Sequence, residues 1–184
     1  MRVIAGSARG RTLLSPAGNR IRPTADRVKE ALFSSLGSRF GALNGLAVLD
    51  LFAGSGALGI EALSRGAASA LFVDNHPDSL QLVRKNLELT GLAKSAEILR
   101  LDVLRALTVL QAGDKRFDII FADPPYADQE LAGQILLAAG SVTTADGIIV
   151  LETDRKADLL PHNLMLLSKR IYGDTAVWLF TASA

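Results

Sequence analysis

The sequence predicts a doubly wound α/β domain, and three observations predict it. From about residue 46, short apolar runs alternate with amphipathic stretches in a βαβ rhythm. The runs LAVLDLF, SALFVD, FDIIFAD and GIIVLE are nearly continuous in apolar residues, which suits parallel strands covered by helices on both faces. The tail NLMLLSKRIYGDTAVWLFTA instead reads as two strands around a turn at Tyr172-Gly173-Asp174, making the last strand antiparallel to its partner.

In chain order, Val3 to Leu14 suits a small hairpin. Thr24 is placed to cap a helix whose apolar positions Val28, Leu32 and Leu36 share one face. A strand over LAVLDLF leads to a helix from Ala57, and SALFVD to a helix from Pro77 to Leu89. AEILRL is followed by a helix from Asp102 to Gln111, and FDIIFAD by one from Gln129 to Ala139. GIIVLE and the two tail strands complete a seven-stranded, mostly parallel sheet. No internal repeat or linker interrupts it, so residues 1–184 are expected to form one domain, with 1–40 as a basic extension of hairpin and helix.

The bulk composition is globular, with 49% hydrophobic and 21% charged residues. There is no cysteine, and His76 and His162 lie far apart, so no disulfide, thiolate site or cysteine nucleophile exists and no metal is expected. Arginines at 2, 9 and 11 interrupt any apolar leader, and no membrane association and a cytoplasmic location are expected. Net charge is only +1, yet residues 1–30 hold seven Arg and Lys against Asp26 and Glu30. That asymmetry points the extension, through Arg2, Arg9, Arg11, Arg22 and Arg27, at a polyanion, although a solvated basic arm has the same composition. Arg22 and Arg27 also oppose the dipole of a helix start, which an external anion would offset.

The densest motif is VLDLFAGSGALGIEALSRGA, where a strand passes through Asp50 to Phe52, turns at Gly54-Ser55-Gly56 and enters a helix. Gly54 to Gly59 matches GxGxxG, and Asp74 follows Gly54 by twenty residues, which equally suits a dinucleotide fold. Three acids tilt the reading toward a cationic nucleoside. Asp50 precedes the turn, where it would repel a pyrophosphate but accept from an ammonium group. Asp74 is placed to accept from ribose hydroxyls, and Asp102 from an adenine amino group. Each of the last two could instead cap the helix that follows it. The candidate cofactor set is Asp50, Phe52, Ala53, Gly54, Ser55, Gly56, Asp74, Asn75, Asp102 and Val103, all near the carboxyl edge where open sheets bind ligands.

Chemistry is suggested by Asp123-Pro124-Pro125-Tyr126 after the fourth long strand. An exocyclic base nitrogen is a poor nucleophile because its lone pair is delocalised into the ring. It needs acceptors for its two hydrogens, and the Asp123 carboxylate with the Pro124 carbonyl can supply them. Two prolines remove N–H donors and stiffen this acceptor-rich loop. Tyr126 can stack on a base lifted from its helix or loop, an interaction worth roughly 1 to 3 kcal/mol. Asp-Pro pairs also terminate strands as plain turns, so the motif takes its weight from its position after a glycine-loop domain.

DLFAGSGALGIEALSRGA, DPPY, IRPTADRVKEALFSSL, the GSARGR string and the ending YGDTAVWLF together resemble the bacterial 16S ribosomal RNA guanine-N2 methyltransferase family, small-subunit methyltransferase D. The resemblance covers nearly the whole chain, and the sheet closed by a hairpin is the class I methyltransferase, Rossmann-like arrangement. It implies S-adenosyl-L-methionine as cofactor and N2 of one guanine in 16S rRNA as acceptor, within the small subunit or its assembly intermediate. It also implies cofactor contacts at Gly54, Ser55, Gly56, Asp74 and Asp102, base contacts at Asp123, Pro124 and Tyr126, and phosphate contacts along the arm. Lys29, where the family pattern suggests arginine, keeps charge but not bidentate phosphate geometry. A monomer is expected. The competing readings are an adenine-N6 DNA methyltransferase, which usually carries a larger target-reading domain, an NAD-dependent oxidoreductase, and a non-catalytic RNA-binding factor.

Overall fold

The computed structural model describes residues 1–15, 23–124, 129–159 and 163–182, and at 23–25 the backbone alone. Strands β1 (Ala47–Leu51), β2 (Ser69–Asp74), β3 (Ala96–Arg100), β4 (Phe117–Ala122), β5 (Thr143–Asp154), β6 (Leu164–Tyr172) and β7 (Thr175–Ala182) form one sheet. Their order is β3-β2-β1-β4-β5-β7-β6. The first five pair in parallel, and β7 lies antiparallel to both β5 and β6. The expected doubly wound sheet with an antiparallel C-terminal strand is therefore present, and its order reverses between β1 and β4, where open sheets leave a crevice.

Helices α1 (Pro23–Phe40), α2 (Ala57–Ser64), α3 (Pro77–Thr90), α4 (Val103–Ala112) and α5 (Gln129–Gly140) cover both faces. Alternation sorts the strand residues between two cores. Leu49, Leu51, Ile120, Ile149 and Leu151 pack with α4 and α5, while Val48, Phe72, Ile119, Phe121 and Val150 pack with α1, α2 and α3. Burial on both sides explains why these strands lack the polar alternation of a one-sided sheet. Between β5 and β7, Trp178 donates from Nε1 to Thr153 Oγ1 at 2.9 Å, which satisfies its only polar side-chain atom inside the core.

Three expectations need adjustment. The helix begins at Pro23, so Thr24 lies in its first turn instead of at the cap, as suits proline at N1. The N-terminal hairpin has only one antiparallel bridge, Arg2 with Thr12, closed by Val3 N–H to Arg11 O at 2.9 Å and Gly10 N–H to Val3 O at 2.9 Å. It needs no longer ladder, because its neighbours take up further backbone groups. Strand β5 starts at Thr143, four residues before GIIVLE.

The arm is bound to the body through a buried carboxylate. Glu61, on α2 and wholly buried, accepts from Ile4 N–H at 2.8 Å and Ala5 N–H at 3.0 Å. It also pairs with Lys29 at 3.1 Å and Arg65 at 2.8 Å. A buried charge is tolerable only when partnered on all sides, and here the partners come from the arm, α1 and the residue that ends α2. Lys29 is itself buried and also donates to Arg2 O at 2.6 Å. Lys29, noted in the sequence only as keeping the charge of the family's arginine, has its ammonium turned inward to neutralise Glu61.

Candidate functional site

The β1–α2 turn is strained where a ligand would approach. Phe52 adopts φ 56°, beside Gly54 at 55° and Gly56 at 76°. A non-glycine residue in that region costs on the order of 1 to 3 kcal/mol, which the surroundings must offset. Ala53 N–H donates to Val73 O at 3.0 Å and Gly56 N–H to Ala53 O at 2.7 Å, holding the turn against β2. The next helical turn fits only without a side chain at Gly59, where a Cβ would stand 2.4 Å from Phe72 Cε1 and 3.0 Å from Asp50 Oδ2. Gly59 N–H donates to that same Oδ2 at 2.9 Å. Absence of a side chain thus lets α2 sit down on a carboxylate near the end of β1.

Asp50 is 3% exposed, and burial, with smaller contributions from the charges of Asp123 and Asp74, pushes its carboxyl up to about 7 despite the bond from Gly59. A cation beside it would return it to the ionised form. Asp74, buried at the tip of β2, accepts from Gly54 N–H at 3.0 Å through Oδ2 and from His76 N–H at 2.8 Å through Oδ1. Each oxygen keeps a further lone pair for an external donor. Asn75 is exposed beside it. Asp102 is the N-cap of α4: its Oδ1 accepts from Leu104 N–H at 3.0 Å and Arg105 N–H at 3.2 Å. The capping alternative is therefore realised, and Oδ2 remains outside those two bonds. Val103 is buried in the core below.

Asp123 follows β4 with an exposed rim, yet loss of solvent around its carboxyl pushes it up to about 6, and Pro124 is buried beside it. Pro125 and Tyr126 lie outside the described residues. Sequence reasoning missed Glu152. Ala122 pairs with Leu151, so the next residues along the two parallel strands are Asp123 and Glu152 at the same edge. Burial, then the charges of Asp123 and Asp50, push the Glu152 carboxyl up to about 8. The available signal was the acid that ends GIIVLE, the counterpart of those ending other parallel strands.

Of the basic residues singled out, Arg2, Arg9, Arg11 and Arg27 are exposed, and Arg22 lies outside the described residues. Arg2 approaches Asp26 at 3.8 Å. A depression of about 530 Å³ between hairpin and α1 is lined by Arg2, Arg9, Arg27 and Asp26 among others. The arm also reaches the glycine turn through Asn86 of α3, whose Nδ2 donates to Leu14 O at 3.0 Å and to Ser55 O at 2.9 Å. Among the described residues no helix is long and apolar enough to cross a membrane.

Comparison with known proteins adds three findings. Residues 1–181 match the family described as Conserved hypothetical protein 95. The chain is 43% identical over 183 residues to the Bacillus subtilis protein YlbH, spanning 98% of each. It is 35% identical over 179 residues to ribosomal RNA small subunit methyltransferase D of Haemophilus influenzae, spanning 94% of this chain and 89% of that one. The solved structure of the Thermus thermophilus protein TTHA0928 superposes with a TM-score of 0.82 at 37% identity, covering 97% of this chain and 98% of that one.

Proposed function

The chain belongs to the Conserved hypothetical protein 95 family, and from that premise we propose that it is an S-adenosylmethionine-dependent methyltransferase acting on N2 of one guanine in 16S ribosomal RNA. The observation that carries the reading is the meeting of a strained glycine turn, Asp50 and the Asp123-Pro124 acceptors at one carboxyl edge of a 3-2-1-4-5-7-6 sheet. The relatives named as small-subunit rRNA methyltransferases supply the substrate class.

The donor set fits a cationic nucleoside. Asp74 offers its free lone pairs to ribose hydroxyls, Asp102 its Oδ2 to an adenine amino group, and Asp50 its oxygens to an ammonium. Phe52, Ala53, Gly54, Ser55 and Gly56 form the turn that the cofactor crosses, with Asn75 and Val103 flanking it. Bound S-adenosylmethionine supplies an electrophilic methyl group on a sulfonium. Asp123 and the Pro124 carbonyl accept the two amino hydrogens, turning the nitrogen lone pair toward that methyl in line with its bond to sulfur. Pro125 stiffens the loop and Tyr126 stacks on the base. Positioning and electrostatics of this kind need no covalent intermediate. Arg2, Arg9, Arg11, Arg22 and Arg27 hold phosphates of the rRNA in the small subunit or its assembly intermediate.

The test is transfer of a tritiated methyl group to small subunits that lack the modification, followed by mapping of the labelled nucleotide. Label on one guanine N2, lost with Asp123→Asn, is expected. Label on adenine N6 of DNA instead, or none on any nucleic acid despite cofactor binding, overturns the reading.

A further inference from the structure

We propose that Glu152 is the partner carboxyl of Asp123, and that the two together take up the proton that leaves the amino nitrogen as it is methylated. The inference rests on the reading of Asp123 as the residue at the base and adds a positioning residue that the motifs do not contain.

The geometry begins with strand register. Asp50 pairs with Phe121, Phe121 with Val150, and Ala122 with Leu151, so Asp123 and Glu152 leave adjacent parallel strands at one level. Alternation from Val48 and Val150, which pack toward α2, places Asp50 and Glu152 on that same face. Antiparallel β7 opposes Glu152 with Val177, flanked by Ala176 and Trp178, none of which titrates near neutrality. Among the described residues, the titratable groups facing it are Asp123 from β4 and Asp50 from β1, with Asp74 of β2 beyond Asp50. The cations Lys29 and Arg65 on the α1–α2 side of the sheet are engaged with Glu61. Carboxyls brought together with no cation among the described residues beside them retain protons into the neutral range, and their titrations belong to the group.

Methylation supplies a use for that arrangement. The nitrogen lone pair forms the N–C bond while the C–S pair returns to sulfur, so a positive charge vanishes from the sulfonium. One N–H proton must then leave, and Asp123, already accepting that hydrogen, receives it. Glu152, which is half-buried and holds a proton below its midpoint near 8, releases that proton to water and takes up the one on Asp123. The proton thus leaves along a chain of carboxyls, and no unpaired ion is left in a poorly solvated space.

The first readout needs no cofactor. Carbon-13 NMR titration of glutamate carboxyls in the ligand-free protein is expected to show the Glu152 midpoint fall below about 8 in Asp123→Asn, which removes one of the charges that hold it up. The second is the pH profile of kcat for methyl transfer. In Glu152→Gln its plateau is expected to drop on the order of tenfold to hundredfold, with the acid limb and KM for cofactor and RNA unchanged. A Glu152 midpoint that does not move in Asp123→Asn overturns the proposal, and so does an unchanged kcat in Glu152→Gln. Should Glu152→Gln fail to fold, Glu152→Asp draws the carboxyl back by one methylene while keeping it. A kcat between those of wild type and a protein without the carboxyl then supports the pairing, and an unchanged one overturns it. Failure of the underlying reading is distinct, since it is the absence of guanine-N2 label with the wild-type enzyme.

Discussion

The side chain of Asn86 closes a two-bond ring with Leu14, accepting from its N–H at 2.8 Å and donating to its carbonyl at 3.0 Å. The same Nδ2 donates to Ser55 O in the glycine turn, and the residue is wholly buried. One amide therefore ties the basic arm to the loop proposed to hold the cofactor, although the three segments are far apart in sequence. Asn86→Ala is expected to cost about 1 to 3 kcal/mol by leaving these backbone groups less well satisfied. It should also weaken S-adenosylmethionine binding. Chemical denaturation and calorimetric titration measure the two effects; a variant that loses stability but keeps full cofactor affinity would show that the tie serves folding alone.

Glu61 is the other tie between arm and body. Glu61→Ala removes a buried carboxylate and strands Lys29, which is 4% exposed, without its counter-charge. Breaking one side of such a pair costs about 3 to 5 kcal/mol. Glu61→Ala paired with Lys29→Met should recover part of that loss, and a denaturation series over the four proteins decides it. Additive losses would mean that the pair is not coupled.

Gly59→Ala tests the approach of α2 to β1. The added methyl meets the ring of Phe72, itself fully buried, and crowds Asp50. Overpacking of this kind costs about 1 to 3 kcal/mol. Because the displaced groups border the glycine turn, cofactor affinity is expected to fall along with stability. Unchanged affinity in a calorimetric titration would count against Asp50 lying near the cofactor.

Stability should depend on pH through the buried acids. Asp50 is raised from 3.8 to about 7 and Glu152 from 4.5 to about 8, so between those values the folded state binds more protons than the unfolded chain. Their contribution is complete below the unfolded values and is lost as pH rises through the folded ones. Asp123, raised only to about 6, adds less. The thermal midpoint of the ligand-free protein is expected to fall from about pH 5 to about pH 8, with a shallower fall in Asp50→Asn. Equal slopes in the two proteins would remove Asp50 as the cause.

Replacing Arg9, Arg11 and Arg27 together, all exposed, should weaken rRNA binding and lower the slope of log affinity against log salt by about 1 for each phosphate no longer neutralised. Filter binding across a salt series measures it. An unchanged slope would mean that the arm does not grip phosphates.

Much of the fold was legible because its signals are local. Unbroken apolar runs in β1, β2, β4 and β5 announce strands covered on both faces, and the turn at Gly173 announces the closing hairpin. The glycine turn and Asp123-Pro124 were legible because few residue types satisfy such backbone demands. The role of Lys29 was not, since a lysine in a basic stretch gives no sign that it will turn inward.

By itself, then, the sequence determined the order and type of the elements, the glycine turn and the acids at the strand ends. Tertiary structure alone decided which distant groups meet, Asn86 with Leu14 and Ser55 and Glu61 with Lys29 and the arm, and brought Glu152 level with Asp123 on the neighbouring strand. The reason is physical. Propensity and periodicity act over a few neighbouring residues, whereas a buried polar group must be satisfied by whatever the packed chain brings within about 3 Å of it.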